Sequence, residues 1–516
     1  MWKHFANDFQ YQIMSTVKIN IVANYFSNIW IAIMTLVFVP IYIHFLGIEA
    51  FGLIGIFTAL QGMFALMDMG LSATLNRELA RLSVQSDEVF DMGDVVRTLE
   101  IIYWVVALVL GMIVIVISGA IVSHWINADT LNPNTIKNAI IIMGIIIVFR
   151  WPLNLYYGGL NGLQRQIVTN SIKSGTATLG GIGAILILWF ISPTIEAFFI
   201  WQVFISLLQI TLARYFLWTS IPKKHKHAKF KIIILKNIWS FASGITVIMI
   251  IDVILKQLDK IILSKMLTLE MFGYYSLATA VAMSLFRIIA PIFDAVYPKL
   301  TNLVVLDNQI KLAQLYHKSC QLMSVVIIPI SLLIVFFSKD ILLIWTQDLV
   351  IANHTYLLLS ILIIGTTING LTNIPFALQL ANEWTSLTLK INIASLIIFT
   401  PYIIIITKYF GAVGGATSWV LIHLFQIIIN INFMHRRLLH REKGNWLFKD
   451  IGLPFLSAFL IISLGFILIR NLQLSQIAML FSLFSIYSVS ILATIMITPE
   501  IRNQFYKIMH KTSLFY

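Results

Sequence analysis

Residues 19–45 read INIVANYFSNIWIAIMTLVFVPIYIHF, a stretch that contains no Asp, Glu, Lys or Arg. A helix of about 20 such residues crosses a hydrocarbon layer roughly 30 Å thick. The stretch is too long for the apolar part of a secretory signal, and no A-x-A-like cleavage site follows it. We therefore interpret it as the first membrane-spanning helix.

Apolar runs of similar length recur along the whole chain of 516 residues, of which 59% are hydrophobic and 11% charged. Soluble domains carry about 25% charged residues. Because backbone polar groups in lipid must be paired within the protein, such runs form helices. The sequence predicts an all-α integral membrane protein with about 14 transmembrane helices, near residues 20–44, 50–72, 98–121, 136–158, 168–191, 195–218, 237–257, 272–296, 318–338, 353–378, 387–408, 413–434, 450–470 and 475–497.

The loops on the two sides of the predicted membrane differ in their number of Lys and Arg residues. When the N-terminus is placed in the cytoplasm, the opposite loops hold only Lys260, Lys265 and Lys339 among the 35 Lys and Arg residues. Basic loops stay on the cytoplasmic side, so both termini are predicted to be cytoplasmic. The net charge of +13 then indicates membrane orientation and not nucleic acid binding. The basic stretch 222–231 is interpreted as an anchor of the same kind, with specific headgroup binding as the alternative.

An internal repeat divides the chain. Residues 45–52 (FLGIEAFG) match 266–273 (MLTLEMFG) at Leu, Glu, Phe and Gly. Similar offsets align Trp151-Pro152 with Ile374-Pro375, and Lys173 with Lys390. Each match falls on the corresponding helix, which predicts two six-helix lobes arranged as parallel repeats. The predicted domains are an N-terminal lobe at 1–220, a basic linker at 221–236, a C-terminal lobe at 237–435, and two additional helices with a tail at 436–516.

Four segments carry a family resemblance: 45–55 (FLGIEAFGLIG), 68–80 (DMGLSATLNRELA), 257–276 (with QLDKIILSK and FGYYS) and 409–416 (YFGAVGGA). Over about residues 12–435 the chain resembles the O-antigen flippase (Wzx-like) branch of the multidrug/oligosaccharidyl-lipid/polysaccharide exporter superfamily. The resemblance implies a MATE-like fold in the bacterial cytoplasmic (inner) membrane. It also implies that the protein flips an undecaprenyl-diphosphate-linked oligosaccharide of O-antigen, capsule or exopolysaccharide, with a polymerase and glycosyltransferases as candidate partners.

Basic residues inside the predicted helices are the candidate substrate-binding groups. A charge in the middle of a membrane costs about 2.5–3.5 kcal/mol on insertion scales, so such residues usually face a wet cavity or a partner. Arg150 and Arg287 lie near Pro152 and Pro291, and each could instead belong to a structural ion pair. Lys173 is the third candidate, with a structural ion pair as its alternative. Lys390 is the fourth, with snorkelling to the membrane surface as its alternative. Together they predict a cationic cavity for a diphosphate, since guanidinium groups bind phosphate oxygens in pairs.

Three acidic residues are candidates for a gate or for ion coupling: Asp68, Asp252 and Asp294. Asp68 is expected to form a gate or a helix-end contact with Arg77 or Arg81, with substrate binding as its alternative. Asp252 is expected to be neutralised by Lys256 one helical turn away, and Asp294 to pair with Arg287. The predicted fourth helix also carries aromatic and amide side chains that either stack on sugars or anchor the helix at the interface, namely Trp151, Asn154, Tyr156 and Tyr157.

Other functional classes find less support in the sequence. The single cysteine, Cys320, rules out an internal disulfide and a cysteine-built metal site, and we expect no cofactor. No G-x-x-x-x-G-K-[ST] loop is present, which argues against direct use of ATP. A multidrug or cation exporter of the same fold would need a buried carboxylate. A membrane polymerase or glycosyltransferase would need a large outer loop, so we predict a carrier that works by alternating access and is not an enzyme.

Overall fold

The computed structural model describes residues 2–84, 91–222, 228–472 and 474–512, and within them all side chains except those of residues 2–19, 21–22, 84, 235–249, 252, 505 and 507–512. Residues 223–227 of the basic linker and the side chain of Asp252 therefore lie outside the described part. Most residues in the described ranges are helical, and one isolated β-bridge within these ranges joins Asn127 to Thr268.

The helices follow one another with short connections. They are α1 (Trp2–Phe64), α2 (Leu71–Val84), α3 (Met92–His124), α4 (Pro133–Arg150), α5 (Leu153–Gly162), α6 (Gln166–Phe190), α7 (Ile195–Ser220), α8 (Ile232–Met266), α9 (Leu269–Ser284), α10 (Phe286–Val305), α11 (Gln309–Thr346), α12 (Leu349–Ala381), α13 (Ser386–Arg437), α14 (Lys443–Asn445), α15 (Leu453–Arg470), α16 (Gln476–Ile497) and α17 (Pro499–Thr512). A π-helical turn, Trp446–Gly452, joins α14 to α15.

Within the described residues, eleven segments are long and apolar enough to cross a membrane. Two of these segments contain a break at a glycine with positive φ, Gly47 in α1 and Gly411 in α13. Each break separates two predicted helices, because only glycine adopts such a conformation without steric cost. Each of these two segments therefore corresponds to two predicted spans. Together with α8, which lies at the place of the predicted seventh helix, the eleven segments account for the fourteen predicted spans.

The break at Pro152 separates α4 from α5, as expected for a residue that lacks a backbone donor. The region predicted as the loop 73–97 differs from expectation, because α2 occupies much of it. Leu75, Leu79 and Leu82 lie on one face of α2 and are buried, whereas Arg77 and Arg81 are exposed on the other. A helix of this kind escapes a search for long apolar runs, since only one of its faces is apolar.

The chain forms two compact units, Met1–Gly273 and Tyr274–Tyr516. In the first unit, α1 is joined to α6 by a row of hydrogen bonds between side chains. Asn24 donates to Gln166 at 3.0 Å, Ser27 bonds Ser174 at 2.8 Å and Trp30 donates to Thr178 at 2.8 Å. Such bonds hold helices together where lipid provides no hydrophobic driving force between them. In the second unit, α11 packs against α12 and also against α15 and α16.

The repeated segments 45–52 and 266–273 meet inside the first unit. A Cβ added to Gly52 would lie 2.5 Å from the carbonyl oxygen of Leu269, and a Cβ added to Gly273 would lie 2.2 Å from that of Ile48. Ile48 and Leu269 occupy equivalent positions of the repeat, so the contact is reciprocal. The glycines that match between the two segments are therefore those that let the two backbones touch.

Candidate functional site

The candidate site is a cavity of about 560 Å³ inside the first unit. Its lining comes from α1, α4, α5, α6 and α7, and includes the candidate residues Arg150 and Lys173. The other polar groups on its wall are Thr35, Tyr42, Gln61, Asn154, Tyr157, Thr176, Gln202 and Gln209. No Asp or Glu from the described part of the chain lines it, so the wall carries two positive charges and no side-chain counter-charge.

Arg150 ends α4 and is held by neutral groups of α7. Its Nε donates to the hydroxyl of Ser206 at 2.9 Å, and its Nη2 donates to Oε1 of Gln202 at 2.7 Å. The guanidinium carbon also lies 5.5 Å from the centre of the Phe57 ring. No carboxylate among the described residues pairs with Arg150, so its charge is oriented but not neutralised. A group in that state attracts an anion.

Lys173 projects from α6 into the same cavity. Its Nζ lies 4.8 Å from the centre of the Tyr157 ring, a cation–π contact. Gln209 of α7 donates to the Tyr157 hydroxyl at 2.8 Å and so fixes the ring that faces the ammonium. Within the described ranges Lys173 has no carboxylate partner either. The two cations of the cavity are therefore both arranged around polar but uncharged neighbours.

The break between α4 and α5 is braced from two sides. Trp151 is buried and donates its indole N–H to the carbonyl oxygen of Phe64 at 2.8 Å, near the end of α1. The Trp151 ring packs on Tyr103 with 4.7 Å between ring centres, and Tyr103 donates to Asp68 at 2.5 Å. These contacts hold the turn that carries Arg150 against the end of α1.

Asp68 does not make the contact expected from the sequence. It accepts hydrogen bonds from Tyr103 and from Ser72, the latter at 2.7 Å, whereas Arg77 and Arg81 pair with Glu78. The reason is local: Met69 and Gly70 have positive φ and turn the chain between Asp68 and α2. The expected contact with Arg77 or Arg81 is therefore wrong, and Asp68 faces α3.

The remaining candidates do not line this cavity. Arg287 begins α10 and is exposed, and Lys390 is exposed in the first turns of α13. Asp294 is also exposed, and in the described part of the chain it forms no ion pair, so the expected pairing with Arg287 is wrong. The expected pairing of Asp252 with Lys256 falls on a side chain outside the described residues. The structure thus brings Arg150 and Lys173 together and leaves Arg287, Lys390 and Asp294 outside their cavity.

Of the aromatic and amide residues proposed on the predicted fourth helix, Trp151, Asn154 and Tyr157 line the cavity. Tyr156 does not: its hydroxyl donates at 2.7 Å to Glu100, a buried carboxylate that also pairs with Arg97 and Arg214. The sequence reasoning missed Gln202, Ser206 and Gln209. Their spacing of four and seven residues places them on one face of α7, and this row of polar side chains among apolar neighbours could have identified them.

Comparison with known proteins agrees with this architecture. Residues 17–304, more than half of the chain, match the family described as "Polysaccharide biosynthesis protein". The chain belongs to this family. A relative from Shigella flexneri, described as a "Putative O-antigen transporter", is 26% identical over 410 residues, which cover 79% of this chain and 94% of the relative.

Solved structures show the same fold at low sequence identity. The lipid II flippase MurJ, in an inward closed conformation, matches with a TM-score of 0.67 and 16% identity over 95% of this chain and 99% of that one. An inward-facing multidrug resistance MATE family transporter of the MOP superfamily matches with a TM-score of 0.61 and 14% identity over 79% of this chain and 94% of that one. The predicted all-α, MATE-like membrane fold and the resemblance to the exporter superfamily are confirmed.

Proposed function

We propose that this polysaccharide biosynthesis protein is a flippase and not an enzyme. It moves an undecaprenyl-diphosphate-linked oligosaccharide, a repeat unit of O-antigen, capsule or exopolysaccharide, from the cytoplasmic to the outer leaflet of the bacterial inner membrane. The Shigella flexneri relative is described as a transporter of O-antigen, and MurJ as a flippase of lipid II. Both descriptions concern glycans, which supports a substrate of this class.

The observation that carries the proposal is the cavity with two cations and no acidic residue in the described part of its wall. Arg150 retains donors beyond those bound to Gln202 and Ser206, because a guanidinium has five N–H groups. Lys173 adds a point charge on the same cavity. A diphosphate supplies the matching negative charge and several acceptor oxygens. The amides of Gln61 and Asn154 on the wall are suited to hydroxyl groups of sugars.

The same observation weighs against export of cationic drugs. A cation entering this cavity would meet Arg150 and Lys173 and, in the described residues, no carboxylate. Charges of like sign within a poorly hydrated space repel strongly, since the local dielectric constant is far below that of water. The wall therefore favours anions over cations.

The proposed mechanism is alternating access, with the polyprenyl tail remaining in lipid. With the cell interior negative, an anion moving outward gains about 2.3 kcal/mol per charge for each 100 mV if no protein charge moves against it. Arg287 and Lys390 remain proposed as further substrate contacts, and Asp68, Asp252 and Asp294 as gate or coupling groups. We also propose that both termini are cytoplasmic and that the protein works with a polymerase or glycosyltransferases.

The test is glycan transfer in vesicles that contain purified protein and a lipid-linked oligosaccharide. Arg150→Gln and Lys173→Gln should each lower the transfer rate about tenfold or more, because a charge-assisted hydrogen bond to an ion is worth about 1.5–3 kcal/mol. Lys137→Gln is the matched control, since Lys137 is an exposed cation on α4 that does not line the cavity. Transfer at the wild-type rate in both cavity variants would refute the cationic site.

A further inference from the structure

A second cluster of ionisable groups lies in the second unit, where α11 meets the segment that leads to the last two spanning helices. His317 of α11 sits between two carboxylates. Its Nδ1 lies 2.5 Å from Oδ2 of Asp450, and its Nε2 lies 3.0 Å from Oε2 of Glu442. The side chain of Asp450 is fully buried, that of His317 is 15% exposed and that of Glu442 is 30% exposed.

The neighbouring amide fixes which atoms donate in this cluster. The backbone N–H of Glu500, at the start of α17, donates to Oε1 of Gln321 at 3.0 Å. The opposite end of the same amide therefore carries the hydrogens, and Nε2 of Gln321 donates to Oδ1 of Asp450 at 2.9 Å. This leaves Oδ2 as the oxygen of Asp450 that faces the histidine.

Glu442 is an acceptor in this arrangement. Asn445 donates to its Oε2 at 2.6 Å, and this hydrogen bond, together with the nearby charge of His317, holds the pKa of Glu442 below its usual range. An ionised carboxylate can only accept. Nε2 of His317 must then carry a hydrogen and donate to Glu442, which leaves Nδ1 to face Asp450.

The contact between Nδ1 and Asp450 requires one more proton. Without it, a nitrogen lone pair and a carboxylate oxygen would face each other at 2.5 Å. The proton can sit on the imidazole, which makes an imidazolium between two carboxylates, or on Asp450, which then donates to a neutral imidazole. Both arrangements hold the same number of protons. We propose that His317, Asp450 and Glu442 form a site that binds one proton.

The proton at this site stabilises a contact between side chains that belong to separate elements of the fold. His317 and Gln321 belong to α11, Asp450 lies in the π-helical turn before α15, and Glu500 begins α17. Loss of the proton puts the lone pair of Nδ1 against Asp450 and loosens the attachment of the π-helical turn to α11. The bound proton thereby stabilises the packing of α15 and α16 against α11.

All three residues line a cavity of about 800 Å³. Other ionisable groups face the cluster from every element around it: Tyr316 and Cys320 on α11, His435 on α13, His440, Lys443 and Lys449 in the connecting segment, and Glu500 on α17. Histidine is the side chain whose ordinary titration falls nearest neutral pH, about 6.5. His435 bonds Tyr316 at 3.3 Å and not the carboxylates.

The test is equilibrium unfolding of the full chain in mixed micelles between about pH 6 and about pH 9. A proton held by the folded protein and released on unfolding changes the unfolding equilibrium constant up to tenfold per pH unit, with stability lost as the pH rises. Asp450→Asn replaces the shared proton by an amide N–H that can donate to Nδ1, while its oxygen still accepts from Gln321. This variant should stay folded and lose that pH dependence.

His124→Gln is the matched control, because His124 is exposed in the first unit and bonds no side chain of the described residues except that of its neighbour Ser123. It should keep the wild-type pH profile. If Asp450→Asn fails to fold, His317→Gln provides the same comparison, since glutamine cannot titrate, and this variant should lose the same pH dependence. A wild-type profile no steeper than that of the folded variant overturns the proposal and leaves a static hydrogen-bonded cluster.

Discussion

Gly273→Ala is the substitution for which the structure makes the sharpest prediction. The added methyl group would lie 2.2 Å from the carbonyl oxygen of Ile48. Ordinary contact between a carbon and another heavy atom needs about 3.5 Å, so one backbone must move by about 1 Å. Because the obstacle is a backbone atom, a change of side-chain rotamer cannot relieve it. Overpacking of this kind costs about 1–3 kcal/mol.

Gly119→Ala is the matched control. Gly119 also lies inside a helix, and a Cβ added there meets no atom within 4 Å. Alanine in place of glycine in a helix gains about 0.5–1 kcal/mol from the reduced backbone freedom of the unfolded chain, and this gain applies to both variants. The difference between the two variants therefore isolates the contact with Ile48.

The assay is equilibrium unfolding of both variants in the same micelles. Gly273→Ala should be about 1–3 kcal/mol less stable than Gly119→Ala, which corresponds to a ratio of about 5 to 150 in the unfolding equilibrium constant. Gly52→Ala should be destabilised in the same direction, because its Cβ would lie 2.5 Å from the carbonyl oxygen of Leu269. The double variant should cost less than the sum, since one displacement relieves both clashes. Equal stability of Gly273→Ala and Gly119→Ala would refute the reciprocal contact.

Two further predictions concern transport. Gln202→Glu should place a carboxylate 2.7 Å from Nη2 of Arg150 without a change of shape, and glycan transfer should fall at least tenfold while the protein stays folded; transfer at the wild-type rate would contradict the role of the unpaired charge. In a Cys320→Ser background, Asn127→Cys with Thr268→Cys should form a disulfide, because backbone-bridged residues have Cα atoms about 5 Å apart. Alternating access in which Asn127 and Thr268 separate predicts that transfer stops on oxidation and returns on reduction. Continued transfer in fully crosslinked protein would show that this contact does not open.

The spans and their number could be predicted from the sequence because lipid imposes a simple rule on every segment that crosses it. The length of an apolar run decides where a helix crosses the membrane. The breaks at Gly47, Pro152 and Gly411 lie at glycine and proline, whose backbone conformations depend on the residue itself. The helix α2 was missed, since only one face of an amphipathic helix is apolar and it therefore contains no long apolar run. The apolar spans and their breaks could thus be predicted from neighbouring residues, whereas an amphipathic helix such as α2 could not.

The candidate site could be predicted only in part. A charge within an apolar run identified Arg150 and Lys173, but it identified Arg287 and Lys390 equally well, and these two lie outside the cavity of the first unit. Asp68 and Arg77 are close in sequence, yet the turn at Met69–Gly70 directs Asp68 to Tyr103 on another helix. Pairing between charges depends on side-chain directions that spacing along the chain does not specify.

By itself, the sequence determined that this chain crosses a membrane many times, where the crossings lie, and that two segments repeat. These properties follow from hydration and backbone chemistry, which act on each residue wherever it lies in the chain. Only the tertiary structure decided that Arg150 is held by Gln202 and Ser206, that His317 sits between Asp450 and Glu442, and that Gly52 and Gly273 face each other's backbones. Those contacts join residues far apart in the chain, and their geometry exists only once the helices have packed.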